Sequence, residues 1–333
     1  MKFLFAPVSA LALFAAGCAE SPGEFDAASS LQAEVSGAKA FEHVEALVGF
    51  GPRPAGSEAL EASRQYIEKR LTDLGWQVRR QTFTAKTPEG RIEFTNLRSR
   101  FGEAPKWDGG VAGLLASHYD TKLYEGFEFV GANDAGSSTG LLIELARVLS
   151  LKENIASRLE LVFFDGEEAF GPNITPTDGL YGSKHYAGEM LEVPERKRPK
   201  WGLLLDMVGD EDLKIRAGVR IPRASLRELI DDKDSGYRVD VEALEAARDE
   251  LARRLLNAAD DLEFRSYVGI SSAYIVDDHV PLNVSAGIPT IDLIDFDYRF
   301  WHTPGDTLDK ISPRSLEISG RVTMQLVERY LVR

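Results

Sequence analysis

The stretch that most constrains this chain runs from Leu159 to Phe170, where a short apolar run stops at a glycine surrounded by three carboxylates, Asp165, Glu167 and Glu168. Leu161, Val162, Phe163 and Phe164 are apolar at successive positions, which predicts a strand covered on both faces by helices. If the backbone stays extended beyond it, Glu167 and Glu168 point to opposite sides, and two adjacent glutamates then have two different jobs. Taken alone, Asp-Gly-Glu-Glu also fits a solvated acidic turn. The rest of the chain favours the functional reading, because other predicted strands end in matching residues.

Helical periodicity is expected over 38–48 and, after the turn-rich Phe50-Gly51-Pro52-Arg53-Pro54-Ala55-Gly56, in a helix capped by Ser57 with Leu60, Ile67, Leu71 and Leu74 on one face. Alternating segments 77–84 and 91–98 read as strands joined by Pro88-Glu89-Gly90. A more apolar strand over 111–117 ends at His118-Tyr119-Asp120, and Asp134 lies in a loop that feeds a helix over 138–149, apolar nearly all round. After the opening strand come a helix over 181–190, a strand over 202–207 that carries Asp206, and a helix over 241–257. A strand over 290–294, the loop Trp301-His302-Thr303 and a helix opened by Ser312-Pro313 complete the order. Strands alternating with helices predict one doubly wound α/β domain. Residues 209–265 are charge-rich and read as an inserted excursion near the site, either a lid or a plain solvated helix.

The net charge of −14 argues against a nucleic-acid partner, since nothing offsets phosphate repulsion, and favours small molecules and peptides. Lys2, the apolar run 3–16 and Ala15-Ala16-Gly17-Cys18 form an export signal over 1–17, shorter than a membrane span of about 20 residues. Cys18 is the single cysteine, so no disulfide is expected within the chain. Its position after small residues resembles a bacterial lipoprotein signal, which implies lipidation at Cys18 and a membrane anchor in the cell envelope, facing the periplasm. An ordinary signal peptide cut nearby would give the same exported chain. Residues 18–37 then form a flexible tether, and 38–333 a single catalytic domain.

In open α/β sheets, ligands sit outside the carboxyl ends of the strands. Here His118, Asp134, Glu168, Asp206 and His302 all fall at or just beyond predicted strand ends. Imidazoles with carboxylates and no thiol suit zinc or a similar divalent ion in a catalytic site. Singly, each has an ordinary explanation, as a strand-end histidine, a helix cap or a turn aspartate; their coincidence with a Glu-Glu pair tips the balance.

These residues carry a resemblance. Ser117-His118-Tyr119-Asp120 with Lys122, Phe129-Val130-Gly131-Ala132-x-Asp134, the Phe163 to Phe170 string, Leu180-Tyr181-Gly182-Ser183, Leu204-Leu205-Asp206, Asp277-Asp278-His279-x-Pro281 and Trp301-His302-Thr303 together resemble the zinc-dependent glutaminyl cyclases of animal type. Those enzymes share the three-layer α/β/α fold of the zinc aminopeptidases, with a mixed, mostly parallel central sheet. The resemblance implies zinc held by Asp134, Glu168 and His302, Glu167 as acid/base, Asp206 and Asp277 bonding the departing nitrogen, and Trp301 walling the substrate pocket. Peptide or protein N-termini would be the substrate. The alternative within the same fold is an aminopeptidase with two zinc ions, His118 and Asp206 completing a second site and Asp134 shared. The Asp-Asp-His-x-Pro motif and the Phe-rich glutamate string favour the cyclase, whereas the small residues after Asp134 lean toward the peptidase. Departures from the animal pattern fall at Gly171-Pro172-Asn173, Val276 and Asp292. A catalytically dead scaffold is disfavoured by the intact set of ligands and both glutamates. Asp165 is expected to serve local turn bonding.

Overall fold

Four strands in this computed structural model are buried at every position: β3 (Gly113–His118), β4 (Leu159–Phe164), β5 (Gly202–Asp206) and β8 (Thr290–Ile294). They run parallel in the spatial order β4-β3-β5-β8. The structure describes residues 30–107, 110–218, 220 and 240–332. The export signal and Cys18 lie outside the described residues. Two long strands, β1 (Trp76–Thr87) and β2 (Gly90–Phe101), form an antiparallel hairpin that joins β4. On the far edge β6 (Ile215–Gly218) is antiparallel to β8, and β7 (Val268–Ile270) is parallel to β6. Among the described residues the sheet therefore has eight strands, in the order β1-β2-β4-β3-β5-β8-β6-β7.

Alternation of side chains along the central strands fills two separate layers. Leu115, Leu161, Phe163, Leu203, Leu205 and Leu293 face a large core built with α1 (Gly37–Val48), α2 (Glu58–Asp73), α3 (Ser138–Ser150), α6 (Val241–Asp261) and α8 (Pro313–Gln325). A short α4 (Glu153–Ala156) closes the loop before β4. Leu114, Ala116, Val162, Phe164 and Leu204 point the other way, onto Tyr186, Ala187 and Met190 of α5 (Tyr181–Glu192) and Leu282 of α7 (His279–Val284). This is the three-layer α/β/α sandwich with a mixed sheet. From β3 the chain passes to β4 on one side and later to β5 on the other, so a crevice opens at the carboxyl ends of these strands.

Two expectations need correction. Residues 30–37 are not tether: Leu31 and Val35 are buried in the main core, and the Leu31 and Ser36 amides donate to Glu328 and Glu144 at 2.8 Å each. Buried side chains and satisfied amides hold this segment down, despite its Ser/Ala/Gly-rich approach. The part of 209–265 that is described is neither lid nor solvated helix. β6 belongs to the sheet, and α6 buries Leu251, Ala252, Leu255, Ala258 and Ala259 in the core. The face of Leu244, Leu251 and Leu255 packs inward together with Arg248, while most of the other charged residues of this helix face outward. Strands β6 and β7 and helix α7 were not anticipated, being 4, 3 and 6 residues long, too short for periodicity to register.

One buried ion cluster ties the hairpin to the parallel strands. Glu160, fully buried in β4, accepts from Arg98 Nε and Arg100 Nε of β2 at 2.7 Å each. Removing the anion leaves two guanidinium groups facing an apolar layer. Glu160→Ala is expected to lower unfolding free energy by about 3–5 kcal/mol, read as a reduced urea midpoint.

Candidate metal centre and catalytic pocket

The strand ends deliver the polar groups. His118 is the last residue of β3, Asp206 the last of β5, and Glu167 and Glu168 follow β4 after Gly166, whose φ is +72°. Asp134 sits in the loop before α3, and its peptide bond to Ala135 is cis. Gly131 opens that loop with φ +53°, and a Cβ there would lie 1.9 Å from the Asp134 carbonyl oxygen, so only glycine fits. His302 comes from the loop after β8.

The metal ligands named from sequence converge. His302 Nε2 lies 3.2 Å from Glu168 Oε1 and 3.4 Å from Asp134 Oδ2. On the other side of Asp134, His118 Nε2 lies 3.2 Å from Asp134 Oδ1 and 3.3 Å from Asp206 Oδ1. In each triad the potential ligand atoms lie within 4.8 Å of one another. Asp134 is thus shared by both sets, one carboxylate oxygen facing each. A set of imidazole and carboxylate donors that is buried, convergent and rich in negative charge fits zinc.

The electrostatics say the same. Burial alone would lower the His302 pKa, but hydrogen bonds to Asp134 and Glu168 outweigh it and push the imidazole up to about 9. His118, also opposed by burial, is held well above its ordinary value by Asp120, Asp134 and Asp206. Without a metal, the carboxylates recruit positive charge by protonating the imidazoles. Burial raises Glu167 well above the usual glutamate range, against the pull of His118 and with the push of Asp277, Glu168 and Asp278. Glu168 is raised less, by burial and Asp134, because His302 and Lys122 oppose the shift. The two glutamates therefore face different partners, as their adjacency predicted.

Asp206 and Asp277 reach the same pocket as Glu167, a cavity of about 260 Å³ whose walls include Ile275, Val276, Phe296 and Trp301. Trp301 stacks on His302 with ring centroids 4.1 Å apart and is 40 % exposed, so its outer face is free to meet a substrate. Pro172, Asn173 and Val276, three of the departures from the animal pattern, line this cavity. Asp292 lies behind it, fully buried beside Asp277.

Several supporting residues escaped the sequence reading. Asp120 accepts from the amides of Glu167 (3.2 Å) and Glu168 (3.3 Å), which fixes the pair. Asp306 accepts from the amides of Asn133 (2.8 Å) and Asp134 (3.1 Å) and from the Tyr298 hydroxyl. Arg53 is 1 % exposed and donates to the carbonyls of Leu47, Gly51, Val130 and Gly131, clamping the loop that carries Asp134. A lone arginine between two prolines was the available signal. Asp165 is a correction: its carboxylate accepts from Arg64 Nη2 at 2.9 Å and the Thr95 amide at 2.7 Å, linking α2 and β2, because Gly166 turns the chain and leaves Asp165 facing inward.

A buried metal site at the carboxyl ends of parallel strands, with a glutamate beside it, defines a zinc enzyme of the aminopeptidase-like fold. Residues 104–327 match the model of peptidase family M28. The glutaminyl-peptide cyclotransferase of Boiga dendrophila is 31% identical over 301 residues, spanning 84% of this chain and 77% of the relative. The crystal structure of a glutaminyl cyclase from an Acidobacteriales bacterium superposes with TM-score 0.70 at 31% identity, covering 88% of this chain and 94% of the other. A Zn-dependent exopeptidase from Parabacteroides distasonis shares the fold, with TM-score 0.71 at 24% identity over 89% of this chain and 99% of the other. The chain belongs to peptidase family M28 and, within it, to the glutaminyl-peptide cyclotransferase relatives.

Asp165 and Asp306 are pushed up to about 7 by burial, the first also by Asp120 and the second by Asp134, and His302 to about 9. The folded protein then holds protons that the unfolded chain releases, so their stabilisation is present at low pH and is lost as pH rises. Metal-free protein should show a melting temperature that falls as pH rises from the ordinary carboxylate range through about pH 9, the range over which Asp165, Asp306 and His302 release their protons. Added zinc should raise it most at the alkaline end, where fewer protons must be displaced. A melting temperature that climbs with pH in EDTA would contradict this charge balance.

Proposed function

We propose that this chain is a glutaminyl-peptide cyclotransferase, converting an N-terminal glutamine to pyroglutamate with release of ammonia. The observation that carries the reading is the shared pocket of Glu167, Asp206 and Asp277 beside the Asp134, Glu168 and His302 site, in a chain about 30% identical to named cyclotransferases across most of its length. Asp134, Glu168 and His302 would hold zinc, which when bound would supply Lewis-acid polarisation of the γ-carboxamide. Glu167 takes a proton from the α-amine as its nitrogen attacks the carbonyl carbon of the γ-carboxamide. The new C–N bond closes a five-membered lactam. The same glutamate passes the proton to the departing nitrogen, the old C–N bond breaks, and ammonia leaves. A glutamate pKa raised by burial suits a group that must accept and return a proton near neutral pH.

Asp206 and Asp277 hydrogen-bond the leaving nitrogen. Burial and the Asp206 and Asp278 charges raise Asp277 well above the aspartate range, which favours its acting as a hydrogen-bond partner in this carboxylate-rich pocket. Trp301 walls the glutamine side chain. No water is consumed, and the small, largely buried pocket limits competing hydrolysis. The second reading, an aminopeptidase that hydrolyses N-terminal residues with two zinc ions, rests on the His118, Asp134 and Asp206 triad.

Glutaminyl and leucyl fluorogenic amides assayed side by side separate the two. Cyclisation with about one zinc per chain is the expected result; leucyl amide hydrolysis with two zinc ions would establish the peptidase. Glu167→Gln should reduce kcat by about 10²–10⁴ with zinc retained, the usual range for a general acid/base.

The N-terminal sequence supports export and a lipid anchor at Cys18 in a bacterial envelope, on the periplasmic side. Among the described residues no helix is long and apolar enough to cross a membrane. Cys18→Ser should move the protein from the membrane fraction to the soluble one on fractionation, and an unchanged distribution would remove the anchor.

A further inference from the structure

A second cavity of about 740 Å³ lies next to the catalytic pocket, and Tyr274 lines both. Its floor is α6, from which Arg248 enters it. Arg248 is 2 % exposed, and its Nε and Nη1 are sealed from solvent without a hydrogen-bond partner among the described residues. Glu245 and Asp249 stand near on the same helix but do not bond it. Arg253 also lines the cavity and is engaged by Glu250, while Arg220, Ser271 and Ser272 add further donors. A buried guanidinium with two unused N–H groups is costly unless an anion meets it. Arg220, Arg248 and Arg253 outnumber Glu245 and Asp249 in the lining of this cavity, the reverse of the balance in a chain of net charge −14.

We propose that this cavity is a carboxylate-recognising extension of the substrate cleft, in which Arg248 pairs with an acidic group a few residues downstream of the N-terminal glutamine. The proposal rests on the cyclotransferase reading. The peptide leaves the catalytic pocket across Tyr274, whose side chain is 62% exposed, and its next residues meet Arg248, Ser271 and Ser272. A guanidinium accepts a carboxylate through two parallel N–H donors, which gives geometry as well as charge.

The test uses glutaminyl peptides that differ only in having glutamate, glutamine or lysine at the third to fifth positions. The full chain should show a KM roughly fivefold or more lower for the acidic peptides, with similar kcat. Arg248→Met should erase that difference, and Arg248→Lys should restore part of it. Inorganic phosphate should raise the KM of acidic peptides selectively in the unmodified enzyme, an arm that needs no variant to fold. If phosphate binds but all peptides share one KM, the site takes a free oxyanion and the substrate role falls. The sequence between Arg220 and Asp240, outside the described residues, contains Glu228, Asp231, Asp232 and Asp234. If neutralising those four lowers the melting temperature as much as Arg248→Met does, with no peptide preference and no phosphate effect, the anion is internal and the proposal is overturned. Failure of every glutaminyl peptide to cyclise would instead overturn the underlying function.

Discussion

Negative charge gathered at the ends of buried parallel strands is the constraint on which the rest of this structure depends. Asp134, Glu167, Glu168, Asp206 and Asp277 are each less than 9% exposed and share one crevice. Such a cluster survives burial only when protons, fixed cations or a metal balance it. In the metal-free protein His118 and His302 take up protons, and Lys122 approaches Glu168 at 3.6 Å. A bound zinc ion would replace the protons with a stronger and better-directed charge. The same imbalance that costs stability at alkaline pH gives the site its affinity.

Holding the cluster in place falls to groups that touch neither metal nor substrate. Asp120 fixes both glutamate amides, Asp306 fixes the amides of Asn133 and Asp134, and Arg53 gathers four carbonyls of the surrounding loops. Each satisfies backbone groups that would otherwise be stranded inside the protein. The side chains of the cluster are thereby held by hydrogen-bonded neighbours. Pro172, Asn173 and Val276, where the sequence departs from the animal-type pattern it resembles, line the same cavity.

Much of the site was legible because chemistry at strand ends leaves local marks. A run of apolar residues stopping at a glutamate pair, and histidines or aspartates closing other such runs, picked out the residues that the fold brings together as His118, Asp134 and Asp206 and as Asp134, Glu168 and His302. The supports were not legible. Arg53 and Asp306 are separated from Asp134 by 81 and 172 positions in sequence, and a single arginine or aspartate in a loop carries no periodic signal. Nor was the core position of α6, whose apolar face is legible but whose packing partners are not, or the role of Asp165, which bonds Arg64 across 101 residues rather than its own turn.

The sequence by itself determined the α/β architecture and which imidazoles and carboxylates close the buried strands, since these depend on alternation and on residue type at strand ends. Tertiary structure decided what lies between the strands. It made Asp134 common to two triads, placed Asp277 beside Asp206 and Asp292, enclosed the pocket with Trp301, and left Arg248 buried beside it without an acceptor among the described residues. Those relations are distances between segments far apart in the chain, fixed by sheet order and helix packing, and no local pattern encodes them.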